Sequence, residues 1–321
     1  MALVFTRDTD VFVNYVKHPH TSNYKMHVTQ VSFSQTFRQD GSNKKTLDTP
    51  SNLIEDSSIT RAGPAQFSLT IPLVDNDSVS HSGSNYPYQH ILLELLLKNT
   101  DGILETFTLF VDPSTSETDT NLRRMYQLSN CVITSGSFTI ARNGIMTLEV
   151  SGEASQLSRV NYVALNIGTG YKSFDNTDYA ISKTVNVTVD NSVLKNVFGV
   201  ALEIQNDIEW TKNNTLHNSL DITSYTQTIY PGSFTMSKRS VAGSISQYVG
   251  ADLQSYTNIQ TWKENIGVRV QAGLSSSNYI IDANLTPCSF TNRVQPTELY
   301  SQAYDYRMIG HPANLNTLFT Y

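Results

Sequence analysis

Asp207 and Glu209 come nearest to a catalytic pair in this chain. Two carboxylates two residues apart on a strand share one face, and paired carboxylates are what glycosidic cleavage requires. Their counterparts in an internal repeat of the sequence are Ser34 and Thr36, so the pair is expected to belong to a polar wall. His18, His20 and His27 could be drawn as metal ligands, but no Cys or carboxylate stands at a matching distance. They are expected to be solvated histidines of an N-terminal hairpin. The stretch Gly168-Thr169-Gly170-Tyr171-Lys172-Ser173 has the composition of a phosphate loop without its spacing, because that motif needs Gly directly before Lys. No G-x-S-x-G elbow occurs. The expectation is a protein with no catalytic, metal or cofactor site.

The elements that would position such residues are mostly strands. Val31, Phe33 and Phe37 alternate with Ser32, Ser34 and Thr36; Phe67, Leu69 and Ile71 alternate with Gln66, Ser68 and Thr70. Met146, Leu148 and Val150 do the same. Period-two alternation marks strands with one buried and one polar face. Ile91, Leu92, Leu95 and Leu96 follow helical spacing instead, and Leu253, Ile259 and Trp262, ahead of Gly267, predict a second helix. Tyr300, Tyr304 and Tyr306 sit at even spacing, as core or interface residues of one strand face would.

The chain reads as if written twice. Phe37, Leu47, Asp48 and Ser51 match Trp210, Leu220, Asp221 and Ser224 at a common offset of 173. Pro64–Thr70 matches Pro231–Ser237 at 167, and Thr134–Thr139 matches Thr286–Thr291 at 152. A shrinking offset in preserved order is the trace of tandem duplication with loop deletions. Two domains are therefore expected, 1–172 and 173–321, separated by the polar stretch Gly168 to Asp178. The formal net charge of −6 divides equally, −3 and −3, and argues against a surface built to grip phosphates. Cys131 and Cys288 are not at equivalent positions, so no disulfide is expected and a reducing assembly compartment is the simpler reading. No apolar run reaches the roughly 18 residues of a membrane span, and the N-terminus lacks a signal-peptide pattern. Two long polar stretches, Gln39 to Gly63 and Thr211 to Gly232, are the same loop in the two copies. Connections above about 12–15 residues are uncommon unless they have work to do.

Phe138 to Ser155 carries a resemblance. A hairpin turning at Asn143-Gly144, followed by Thr147, Glu149, Gly152 and Ala154 in a T-x-E-x-x-G-x-A pattern, resembles the tail tube proteins of long-tailed bacteriophages over most of residues 10 to 160. In the second copy the hairpin departs to Asn292-Arg293-Val294-Gln295-Pro296 and the glycine is gone. The resemblance implies a mainly β chain of two tandem β-sandwich or barrel-like tube domains, each with one flanking helix and one long inter-ring loop. It implies trimeric, pseudo-hexameric rings that stack into a channel for DNA, built in the host cytoplasm and carried in the virion. The partners would be further copies of the chain and the terminator, distal tail and tape-measure proteins, with DNA passing unbound and no membrane insertion. Ser32, Ser34, Thr36, Gln205, Asp207 and Glu209 would then face the lumen. Asp40, Lys44, Lys45, Asp48, Glu55, Lys212 and Asp221 would lie in the inter-ring loops. Another tube- or ring-forming tail or secretion-tube component is the alternative on the same fold, and a carbohydrate-binding β-sandwich for host recognition is the alternative outside it.

Overall fold

The computed structural model describes residues 9–15, 23–42, 56–74, 88–100, 103–113, 119–120, 123–140, 144–165, 179–211, 230–249, 262–276, 278–296, 298–310, 315 and 318–320. The first half contains β1 (Asp10–Asn14), β2 (Asn23–Met26), β3 (Gln30–Ser34), β4 (Phe37–Ser42), β5 (Asp56–Ala62), β6 (Ala65–Pro72), helix α1 (Tyr88–Leu97), β7 (Asn99–Thr100), β8 (Ile103–Leu104), β9 (Phe107–Asp112), β10 (Arg124–Ile140), β11 (Thr147–Ala154) and β12 (Gln156–Asn161). The second contains β13 (Thr184–Val189), β14 (Ser192–Val193), β15 (Val197–Trp210), β16 (Phe234–Tyr248), β17 (Trp262–Ser275), β18 (Asn278–Pro296), β19 (Tyr300–Met308) and β20 (Phe319–Thr320). The chain is mainly β, with one helix among the described residues.

Sixteen strands join in one antiparallel sheet, eleven along the path β3-β6-β11-β10-β15-β16-β19-β18-β17-β13-β14 and β1, β2, β9, β12 and β20 beside it. The path reads the same way twice: a strand, its hairpin partner, then the later hairpin of that half. Strand β10 ties the layers together. Its first half pairs with β9 and β12, its second with β11 and β15. It changes partners around Asn130, whose φ of 52° is a left-handed conformation that Asn tolerates better than most side chains. A sheet that bends in this way closes over a core, and the buried apolar residues of both halves form one cluster.

The alternation in the sequence is the alternation of burial. Phe67, Leu69, Ile71, Met146, Leu148 and Val150 are all buried, each stabilising the fold by roughly 1.5–3 kcal/mol relative to exposure. On α1, Ile91, Leu92, Leu95 and Leu96 are buried against the sheet. Tyr304 and Tyr306 are core residues, whereas Tyr300 is 60% exposed.

Four expectations change. Leu253 and Ile259 of the second helix lie outside the described residues, but Trp262 opens strand β17 and Gly267 is inside it. Backbone pairing to β18 there overrides a weak helical spacing. The stretch Gln39 to Gly63 is flanked by a paired hairpin, β4 with β5, which prolongs the β3–β6 ladder as an arm. Its first strand reads Phe37-Arg38-Gln39-Asp40-Gly41-Ser42, without apolar alternation, so backbone pairing rather than periodicity defines it. Phe37, placed with the apolar set, is 46% exposed and meets Tyr230 edge-on. Lastly, Phe67 faces Phe33 while Phe234 faces Trp210, so the 167-residue match is out of register with the ladders.

Gly152, in the T-x-E-x-x-G-x-A segment, has a steric reason to be glycine. A Cβ there would overlap the Phe67 ring and the Val132 carbonyl oxygen. Gly152→Ala is expected to lower unfolding stability by about 2–3 kcal/mol, the cost of overpacking a filled core, read as a lower urea midpoint with an unchanged slope. An unaltered midpoint would refute this packing account.

Candidate functional site

The polar wall is visible as a face of the sheet. Ser32, Ser34 and Thr36 on one strand line, and Gln205, Asp207 and Glu209 on β15, are all exposed. Between them stand Leu202, Ile204 and Asn206, all buried. Residues on this face align in rows across strands. Ser32, Ser68, Ser151, Ser135, Gln205 and Ser240 stand opposite one another in turn. The neighbouring row is Gln30, Thr70, Glu149, Ser137, Glu203, Ala242, Arg307 and Ser289. Short hydrogen bonds hold the hydroxyls, as in Ser32 Oγ to Ser68 Oγ at 2.8 Å, and Gln205 Nε2 donates to Glu203 at 2.8 Å. The face carries exposed Glu149, Glu203, Asp207 and Glu209 against exposed Lys238 and Arg307. Its net sign is negative. Glu149 and Glu203 were absent from the expected set, although carrying the alternation one step further along β15 would have found Glu203.

The remaining expected residues are only partly placed. Asp40 lies in β4, with its backbone opposite Ser58 of β5. Lys44, Lys45, Asp48, Glu55, Lys212 and Asp221 lie outside the described residues, as do the 168–173 stretch, His18 and His20. His27 follows β2 and is half-buried, with its pKa lowered by burial and by Lys25 and raised in part by Asp10. Among the described residues no group of three or more His, Cys, Asp or Glu is arranged to hold a metal. Both thiols are free and buried. Burial pushes the pKa of Cys288 up to about 12 and that of Cys131 higher still, which keeps both protonated and unreactive at neutral pH.

The halves are joined by β10 and β15, six opposed pairs from Ser135–Gln205 to Ile140–Val200. A buried polar cluster sits beside this ladder. Asn206 Nδ2 donates to the carbonyls of Leu96 (3.3 Å) and Ile133 (3.1 Å), and Arg239 Nε donates to Asn206 Oδ1 at 2.7 Å. Arg239 Nη2 donates to Leu96 O at 2.5 Å. The Leu96 carbonyl is one of the orphans at a helix C-terminus, where a cation is favoured. Burial lowers the Arg239 pKa to about 10, which still leaves it charged at neutral pH. Trp210 Nε1 to Glu153 Oε2, 2.7 Å, adds a further bond between halves. Sequence patterning placed Ile204, Ile208 and Trp210 on the inner face and passed over Asn206 between them.

Two strand edges complete the site. Strand β3 ends the sheet path, paired with β6 only among the described residues. A groove of about 550 Å³ lined by Thr9, Val28 to Ser32 and Ser68 runs along it. An edge of this kind presents unpaired N–H and C=O groups and is a template for another strand. The far end of the path is β14, paired with β13, and β18 lies inside the sheet with β19 on one side and β17 on the other.

Asn206→Leu removes the amide that serves the Leu96 and Ile133 carbonyls and leaves Arg239 Nε buried without its acceptor, while Nη2 keeps the Leu96 carbonyl. It is expected to cost about 2–3 kcal/mol, the range for a buried donor to a charged group left unsatisfied. The double variant Asn206→Leu with Arg239→Met is expected to lose less than the single one, measured by chemical unfolding. Additive losses would show that the cluster is not coupled.

A family model described as Bacteriophage Baseplate Tube Protein Family matches residues 1–320 of the chain. No curated protein matches it.

Proposed function

Since the chain belongs to the bacteriophage baseplate tube protein family, we propose that it closes rings of three chains, each supplying two tube domains, around a channel for DNA. As a member of that family it is a structural component of the phage tail, carried in the virion and working by contact with other tail components.

The observation that carries the reading is the repeat of ladder registers. Starting from Gln30 and Glu203, the 173-residue offset, the rows run Gln30-Thr70-Glu149-Ser137 and Glu203-Ala242-Arg307-Ser289. They end on Ser137 and Ser289, the 152-residue offset that the sequence gives independently. A packing exchange fits the same correspondence. Leu148 opposite Ile71 becomes Tyr306 opposite Gly243, a large residue against a small one. This supports two domains, 1–172 and 173–321, related by duplication. Within the chain, the first domain's β10 takes the second domain's β15. The same junction repeated between chains would use the open β3 edge and remove it by ring closure, which is how barrels abolish edges. Three such chains give six domains in alternation.

In this ring the polar face lines the channel. Acids there with neutral hydroxyls between them repel the duplex weakly, whereas each basic contact would release counterions and bind it. The hairpin arm β4–β5 and the stretch 211–232 would reach the next ring. A second reading has a specific support: the word baseplate in the family description favours a ring at the base of the tube over its repeating unit. Electron microscopy of the purified chain separates them, as filaments or as single rings.

The mass of an isolated ring is expected to equal three chains. Six chains, or a monomer at all concentrations, would sink the proposal. Particles carrying Asp207→Lys with Glu209→Lys are expected to assemble normally yet eject DNA more slowly, most of all at low salt where screening is weakest. Normal ejection at every salt concentration would remove the channel assignment.

A further inference from the structure

The slot that β15 fills on β10 has a counterpart on β18, and the chain fills that counterpart itself. On β10, Gly136, Phe138 and Thr139 face Ile204, Leu202 and Ala201 of β15. At an offset of 152 their equivalents are Cys288, Phe290 and Thr291, which face Ile266, Lys263 and Trp262 of β17. In the first half the segment at this place goes elsewhere. Strand β9 leaves β10 at Phe107, opposite Cys131, and the residues before it form the small β7–β8 hairpin.

The start of β17 is held loosely. Register slips occur between Lys263 and Ile266 and again between Ile266 and Val268, and Asn265 between them has a φ of 58°. Ahead of the slips only Trp262–Thr291 and Lys263–Phe290 are in register. Lys263 is tied to Asp190 by an ion pair in which both side chains are about one-third exposed, so solvent screens the contact and weakens it. Trp262 itself is 63% exposed. Beyond Val268 the β17–β18 ladder runs in register from Leu285 to Ile281. The bulged residues are therefore the place where this strand can part.

We propose that Trp262–Ile266 is a latch that occupies the docking edge of β18 in the single chain and is displaced by β3 of a second copy when rings form. The occupant follows from the chain's own template. Transferring the β10–β15 register by the offsets 152 and 173 sets Ser289 opposite Gln30, Cys288 opposite Val31 and Pro287 opposite Ser32 of the second copy. Ser289 and Gln30 end the same row of the polar face, so the row continues across the junction. The groove along β3 supplies the incoming edge. A covered edge keeps a chain with one exposed strand template from pairing at random before assembly. The inference rests on the ring reading and adds the exchange step to it.

The test uses the full chain with Trp262→Cys and Thr291→Cys. Directly opposed strand positions lie close enough for a disulfide, and the two native thiols are buried. Oxidation is expected to leave the fold intact by circular dichroism and cut ring yield about ten-fold or more, with reduction restoring it. Rings forming equally well from the oxidised protein would overturn the latch while leaving the ring reading intact. Failure of the wild-type chain to form rings would defeat the ring reading and the latch with it. Lys263→Glu, which reverses the charge facing Asp190, is expected to speed ring formation, and an unchanged rate counts against the latch. Within rings, Ser289→Cys with Gln30→Cys is expected to give covalent links between chains, and their absence would overturn the register.

Discussion

Backbone pairing at strand edges is the constraint on which this structure depends. Sixteen strands pair into one sheet, and the ends of its path are where backbone groups lack a strand neighbour among the described residues. The chain meets the constraint internally at β10, whose second half gives one side to β11 and the other to β15. That single strand decides both that the halves are continuous and that a further edge remains at β3. Burial then follows pairing. The inner faces of the main strands, such as β6, β10, β11 and β15, join one apolar cluster, and the outer faces carry serines, threonines and carboxylates.

The polar cluster of Asn206, Arg239 and the α1 C-terminus shows how the halves are held in a defined relation. On the β3–β6 ladder the opposed pair Phe33 and Phe67 is apolar, whereas Asn206 and Arg239, opposed on β15 and β16, are hydrogen-bonded. The gain is directional: a guanidinium and an amide reach the Leu96 and Ile133 carbonyls only if α1 and β10 sit at one place. Apolar contacts alone would tolerate sliding. The same logic explains Tyr306, whose hydroxyl donates to Ala201 O at 3.1 Å through the space that Gly243 leaves open.

The outer face carries no constellation for catalysis among the described residues. Asp207 and Glu209 point the same way along β15 but sit opposite Lys238 and Thr235 on an exposed sheet. Both carboxylates are exposed to water on the open sheet. They contribute to a negative, hydroxyl-rich surface.

The sequence by itself determined the strand class, the inner and outer faces of the main strands, α1, and the polar line through Ser32 to Thr36 and Gln205 to Glu209. These follow from local periodicity, which is written in neighbouring residues. It also carries matched residue types at the offsets 173 and 152, which the ladder rows ending on Ser137 and Ser289 share. Only the tertiary structure decided that β10 joins β15, that Asn206 faces inward beside Arg239, that 37–62 frames a paired arm, and that Trp262 belongs to a strand. Each of these depends on partners far away in the chain, and a pairing between residues 70 or 100 apart leaves no local pattern to read. The same applies to Phe234, whose local match to Phe67 is overruled by the ladder that sets it opposite Trp210.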